Sequence, residues 1–300
     1  MELKNEKLMI AEQKRNIRQI RWLIFWVMIS LNVVTLTIES IFTFMDQTVI
    51  LDYTRMMVTH ILAVLLPLII YFKISGINPE KISLRLNKFS FLQALIIMLL
   101  AIAGQFIIAI PIIPIQLQLG VPTSFAPIGV TEILMGFMAI TIIPAVLEEV
   151  LFRGVLFGGM ERQSTMLAVV FSSFVFALLH ANILNFFGYV FLGLMTVMVM
   201  LRTNSIYAAI FYHFIFNLTA FILGVTASQI PLSVSFIVWL FLSSVVVFIV
   251  SIFIFRLLTP NAQKYRSKKT GSLLLSNIFS IPIILCIIIT IVIQYFRFIV

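Results

Sequence analysis

The chain is poor in charge, in cysteine and in histidine. Of its 300 residues, only 10% are Asp, Glu, Lys or Arg, one is cysteine and three are histidine. So few charges leave too little polar surface for a soluble protein of this length. Hydrophobic residues make up 62% of the chain, and its mean hydropathy is +1.16. Apolar runs of about 18 or more residues recur throughout, which is typical of an integral membrane protein with many spans.

These shortages exclude several classes of protein. The single cysteine, Cys286, cannot form an intramolecular disulfide or supply a cysteine-based metal site. The net charge is +9, but no basic patch with interleaved aromatic residues accompanies it, so we do not expect a nucleic-acid partner. We also expect no cleavable signal peptide, because the polar lead is long and no A-x-A-like site follows the first apolar stretch.

We predict an all-α polytopic membrane protein with a single integral membrane domain over residues 1–300 and a basic cytoplasmic segment over residues 1–21. Nine apolar segments are each able to cross about 30 Å of hydrocarbon as a helix, some of them with tilt. The predicted spans are Trp22–Thr43, Met56–Ile74, Phe89–Ile113, Glu132–Met160, Thr165–Ala181, Phe186–Leu201, Ile206–Gly224, Val234–Leu258 and Leu273–Phe296.

The positions of Lys and Arg predict the orientation in the cell membrane. With nine spans and a cytoplasmic N-terminus, the outside segments hold only Arg55 and Arg297, and the C-terminus lies outside. The cations of the inside segments are Lys4, Lys7, Lys14, Arg15, Arg18, Arg21, Lys73, Lys81, Arg85, Lys88, Arg162, Arg202, Arg256, Lys264, Arg266, Lys268 and Lys269.

A small group of ionisable and polar residues lies inside otherwise apolar segments. A charge at the bilayer centre costs at least about 2.5–3.5 kcal/mol, so such residues are candidates for function. Counting the helical rise from the cytoplasmic ends brings them to similar depths, and we expect one buried site in the central helices. The group consists of Glu148, Glu149, Arg153, His180, His213 and Asn217.

The two adjacent carboxylates are expected to differ in their surroundings. Glu149 and Arg153 are four residues apart and share a helix face, so they can neutralise each other. Glu148 points about 100° away around the helix, has no local partner and is expected to face a cavity. Different environments let one carboxylate be structural and the other reactive, and Glu148 suits a general base.

His213 and Asn217 are also four residues apart, and together they offer two donors that could hold an oxyanion. His180 is expected at a helix end. Polar residues also join helices in bilayers, so each of these residues alone could be structural. We interpret the whole set as a site because of its spacings.

Three motifs resemble those of the CPBP intramembrane proteases, the family of CAAX prenyl proteases and bacteriocin-processing enzymes once called the abortive-infection family. Glu148–Gly154 resembles its EExxxR motif, Phe176–His180 its FxxxH motif, and His213–Asn217 its HxxxN motif. Their order and spacings also agree. The resemblance covers residues 131–224, which it marks as a catalytic core of the CPBP type.

The resemblance implies an endopeptidase that cleaves a small peptide or protein within or next to the membrane. It implies that Glu148 and His180 activate water, and that His213 and Asn217 stabilise the oxyanion. Glu149 and Arg153 would position the helix and tune Glu148, while Phe176 would pack beside His180.

The metal requirement stays open at this stage. The family has been described both as metalloproteases and as glutamate-dependent proteases. Glu148, His180 and His213 could supply three ligands of a catalytic zinc ion. The chain has no HExxH spacing, and we favour chemistry without a metal.

Two other functions compete with proteolysis. A non-proteolytic regulator or scaffold could use the same fold to bind a membrane protein partner, although it would not need Glu148 and both histidines. A proton-coupled transporter would more often show internal repeats and paired broken helices. Expected partners are the lipid bilayer and a peptide or membrane-protein substrate, but no residue identifies that substrate or indicates whether it is prenylated.

Overall fold

The computed structural model describes residues 2–42, 48–75, 84–120, 129–161, 164–226, 233–260 and 270–299. In these ranges the chain is helical apart from short connections, and no strand occurs there beyond one isolated bridge between Leu86 and Ser205. The protein is an all-α polytopic membrane protein, as the sequence predicts.

The described residues form ten helices. They are α1 (Glu2–Phe42), α2 (Val49–His60, Ile61–Leu65 and Leu66–Ser75), α3 (Phe91–Gln118), α4 (Val130–Gly136, Phe137–Ile142, Ile143–Glu149, Val150–Phe157 and Gly158–Glu161), α5 (Thr165–Leu179), α6 (Phe186–Thr203), α7 (Ile206–Thr226), α8 (Val234–Leu258), α9 (Thr270–Ile278) and α10 (Ile281–Ile299). Three parts are π-helical, with i→i+5 hydrogen bonds: Ile61–Leu65 in α2, and Phe137–Ile142 and Val150–Phe157 in α4.

Seven helices are long and apolar enough to cross a membrane, namely α1 to α4 and α6 to α8. Helices α5 and α10 are apolar but shorter. Every predicted span overlaps a helix in the described residues, although Phe89, His180 and Ala181 lie just beyond a helix end and the last span is interrupted. The number nine stays a prediction. The orientation also stays a prediction, because Lys81, Arg162 and the basic loop at 264–269 lie outside the described residues.

The structure extends the first predicted span towards the N-terminus and divides the last one. Helix α1 already begins at Glu2, so the basic segment runs without a break into the first span; Thr43, its predicted end, lies outside the described residues. The prediction of one continuous span over Leu273–Phe296 is wrong, because α9 ends at Ile278. In a continuous helix the ring of Pro282 would clash with the Ile278 carbonyl and leave it without a donor.

Helix α4 carries the candidate carboxylates at the centre of the bundle. It packs against α2, α5 and α7, while α7 also packs on α3 and α6. The sides of these helices that face one another form the main apolar core, which includes Leu151, Phe152, Phe176 and Tyr212. All three of the chain's histidines lie on helices that contact α4 or at the end of one.

Helices α5 and α6 approach each other closely at Gly193. A Cβ atom at this position would lie 2.9 Å from both the Cα and the Cβ atom of Ser173, closer than carbon atoms can pack. The missing side chain therefore sets the distance between the two helices, and it leaves the Gly193 carbonyl within reach of Arg153 on α4.

We expect Gly193→Ala to lower the free energy of unfolding by about 1–3 kcal/mol, because the added methyl group must push two backbones apart. Thermal unfolding of the purified protein in detergent measures this loss. Gly129→Ala before α4 is the matched control, since its methyl group would meet only the carboxylate at the end of the flexible Glu132 side chain. Equal unfolding temperatures for the two variants would contradict the close approach.

Candidate active site

The candidate carboxylates lie at the end of the α-helical stretch Ile143–Glu149, between the two π-helical parts of α4. π-helical turns interrupt the regular spacing of side chains and are frequent at functional sites. Glu148 is 6% exposed, Glu149 is fully buried and Arg153 is 1% exposed. Three ionisable groups are thus packed within two turns of one helix in the interior of the protein.

Glu149 and Arg153 form the ion pair that their spacing predicts. Arg153 Nε lies 3.0 Å from Glu149 Oε2, a contact that meets the distance of an ion pair but not the alignment of a hydrogen bond. The guanidinium also donates to the Gly193 carbonyl at 3.1 Å and to the Thr196 hydroxyl. Its carbon lies 4.9 Å from the centre of the Phe176 ring. Arg153 therefore ties α4 to α6 as well as neutralising Glu149.

The second partner of Glu149 is His213 on α7. Its Nδ1 donates to Glu149 Oε1 at 2.8 Å, and the ring is only 1% exposed. This bond fixes the ring so that Nε2 faces Glu148, at 3.9 Å from Oε2. A buried carboxylate that holds the far nitrogen of an imidazole orients the ring.

His180 lies just past the end of α5, as the sequence predicts. Its Nδ1 donates to the Phe176 carbonyl at 2.7 Å, which leaves Nε2 at 3.7 Å from Glu148 Oε2. The next residue, Ala181, has a positive φ of 43° that turns the chain away. Gln294 of α10 holds this turn, since its amide donates to the Ala181 carbonyl and its oxygen accepts the Ile183 N–H at 3.2 Å.

The third histidine, His60 on α2, was missed by the sequence analysis. Its Nδ1 donates to the Met56 carbonyl at 3.1 Å, and its Nε2 lies 3.5 Å from Glu148 Oε1. No motif or local spacing marks His60, because its link to Glu148 exists only in the folded protein. The signal available was the small number of histidines in an apolar chain, of which His60 is one.

Glu148 is therefore surrounded by imidazoles that come from other parts of the fold, at the position where the sequence predicts a cavity. We call His60, His180 and His213 the histidine cluster. Each ring donates Nδ1 to another acceptor and turns Nε2 towards the Glu148 carboxylate. Glu148, Glu149 and Arg153 together leave one negative charge, and a single proton on any ring of the cluster makes the group neutral. Neutrality removes most of the cost of burying these charges.

Asn217 takes a different position from the cluster. Its Nδ2 donates to the Ile140 carbonyl at 3.2 Å. In a regular helix that carbonyl would bond to the residue four positions later, which is Pro144 and has no N–H. Asn217 therefore joins α7 to α4 at a backbone oxygen that the proline deprives of its usual donor. Its contact with an oxyanion stays a prediction.

A catalytic zinc centre requires a particular geometry of the predicted ligands Glu148, His180 and His213. Protein ligands lie about 2.0–2.2 Å from zinc, and the set must converge on one point. In the part of the chain that the structure describes, no group of three or more His, Cys, Asp and Glu side chains is arranged to hold a metal ion. The three predicted ligands therefore do not fit a zinc centre in this arrangement.

Comparison with known proteins gives one result. The family model described as type II CAAX prenyl endopeptidase Rce1-like matches residues 130–219. Residues 130–219 are an Rce1-like domain of the CAAX protease family. This Rce1-like domain contains Glu148, His180, His213 and Asn217, whereas His60 lies outside it. It indicates a protease with a peptide substrate and a membrane environment. Neither the curated proteins nor the solved structures provide a match.

We expect Arg153→Ala to destabilise the protein by about 3–5 kcal/mol, since it leaves Glu149 as an uncompensated buried charge. Thermal or denaturant unfolding in detergent measures the loss. Arg55→Ala is the matched control: it breaks the exposed Asp52–Arg55 pair and should cost no more than about 1 kcal/mol. If Arg153→Ala unfolds like the control, the buried pair does not stabilise the fold.

Proposed function

We propose that the protein is an intramembrane endopeptidase in which Glu148 is the general base. The observation that carries this proposal is the convergence of three imidazole nitrogens on one buried carboxylate inside an Rce1-like domain. Helix packing alone does not require this arrangement, because the Glu149–Arg153 pair and Asn217 already join α4 to its neighbours.

The first step is the activation of water. A water molecule beside Glu148 and the part-exposed ring of His180 gives a proton to the carboxylate, and its oxygen attacks the carbonyl carbon of the substrate. Burial keeps other water away and strengthens the interaction between these charges. Glu149 takes no part in the transfer, because Arg153 and His213 already occupy it.

The second step needs stabilisation of the tetrahedral oxyanion. The Glu149 carboxylate holds Nδ1 of His213, so that a hydrogen on Nε2 would donate to the oxyanion. Asn217 is a further donor, since its amide nitrogen has two hydrogens and Ile140 accepts one. The C–N bond then breaks as the proton passes from Glu148 to the leaving amine, which yields a carboxylate and a free amine.

The match to the Rce1-like family indicates only a broad class of substrate. The proposed substrate is a small membrane-associated peptide or protein, and a prenylated C-terminus is one of the forms to test. The proposed mechanism uses no metal ion. This part of the proposal would be contradicted if the purified active protein held metal in stoichiometric amount and lost its activity when the metal was removed.

We expect Glu148→Gln to abolish processing of the natural substrate, because it keeps the shape of the side chain and removes the base. Loss of a general base typically costs about 10²–10⁴-fold in rate. Comparative peptide profiling of membranes from cells with the wild type or the variant should show a precursor that accumulates only in the variant.

Glu132→Gln is the matched control, since it makes the same chemical change in the first turn of α4, away from the histidine cluster. Its peptide profile should equal that of the wild type. If Glu148→Gln also equals the wild type while any cellular phenotype persists, the protein is not a protease that depends on Glu148, and a scaffold becomes the better account.

A further inference from the structure

The rings of His60 and His180 are placed in equivalent ways around Glu148. Each donates Nδ1 to the carbonyl four residues before it, Met56 for His60 and Phe176 for His180. The side chains are exposed to a similar extent, 26% and 22%, whereas His213 is 1% exposed. His60 and His180 are thus the two part-exposed rings of the cluster.

The two rings differ in the carboxylate oxygen that they face. His180 and His213 both lie nearest Oε2 of Glu148, at 3.7 and 3.9 Å, whereas His60 lies 3.5 Å from Oε1. The Rce1-like domain thus supplies both contacts to one oxygen, and the contact to the other comes from α2, outside that domain. Without His60, the carboxylate would keep partners on one side only.

The backbone around His60 also aims the ring at α4. His60 is the last residue of the α-helical stretch Val49–His60, and the π-helical turn Ile61–Leu65 follows at once. This part of α2 packs against the stretch of α4 that contains Glu148. The bond to Met56 holds the ring against its own helix, so that only Nε2 is directed at the carboxylate.

We propose that His60, with a hydrogen on Nε2 as well as on Nδ1, is a positioning residue of the protease site that holds Oε1 of Glu148 and thereby keeps Oε2 directed at the water and His180. The inference rests on the proposed function. A carboxylate held from one side only can turn about its last bond, and a base misplaced by about 1 Å can lose about 10²-fold in rate. Helix α2 is thereby a functional part of the site, although it lies outside the matched residues.

Substitution of His60 by glutamine or by asparagine tests the roles of its two ring nitrogens separately. The amide nitrogen of glutamine reaches the place of Nε2 and can donate to Glu148, while that of asparagine reaches only the place of Nδ1 and can donate to Met56. Phenylalanine keeps a ring and supplies no donor. The measurement is a pulse-chase of the precursor that Glu148→Gln accumulates, with the amount of each variant in the membrane determined in parallel.

We expect His60→Asn and His60→Phe to slow processing by about 10- to 100-fold at wild-type protein levels, and His60→Gln to restore most of the rate. Wild-type rates in His60→Asn and His60→Phe would overturn the inference and leave the proposed function intact. Equal slowing in all three variants would also overturn it, because a positioning donor at Nε2 is replaceable by glutamine. Absence of any precursor that depends on Glu148 would instead overturn the proposed function.

Discussion

The buried ion pair between Glu149 and Arg153 is the interaction on which the rest of the site depends. It neutralises one of two adjacent carboxylates, so that the other can carry charge in the interior. Arg153 also binds the Gly193 carbonyl on α6, and Glu149 orients His213 on α7. Three helices are therefore fixed by one pair, and Glu148 is left as the carboxylate that faces all three rings of the histidine cluster.

The two neighbouring glutamates have different roles because their side chains point in different directions from the helix. Glu149 contacts Arg153 on its own helix and His213 on α7. Glu148 faces the rings of His60 on α2 and His180 just past the end of α5. The partners of Glu148 are longer contacts, between 3.5 and 3.9 Å, and two of the rings are part-exposed. Such loose contacts suit a group that must exchange a proton, whereas the contacts of Glu149 suit a group that must stay charged.

The sequence was most informative where the relevant interactions are local. A spacing of four residues predicted the Glu149–Arg153 pair, and the apolar runs predicted the helical spans. The helix break before Pro282 also has a local cause, the missing N–H of the proline. The sequence stays apolar across the break, however, so its hydropathy predicted one continuous span. His60 could not be found in this way, because the distance of 88 positions between His60 and Glu148 is closed only by packing of α2 on α4.

The most direct test of the account is the effect of Glu148 on the three imidazole rings. Labelling with ¹⁵N-histidine gives signals from only three side chains, and single histidine substitutions assign them. The account predicts that Glu148→Gln shifts the Nε2 signals of His60, His180 and His213, while Glu132→Gln leaves them unchanged. Unchanged Nε2 signals in Glu148→Gln would contradict a carboxylate surrounded by the histidine cluster.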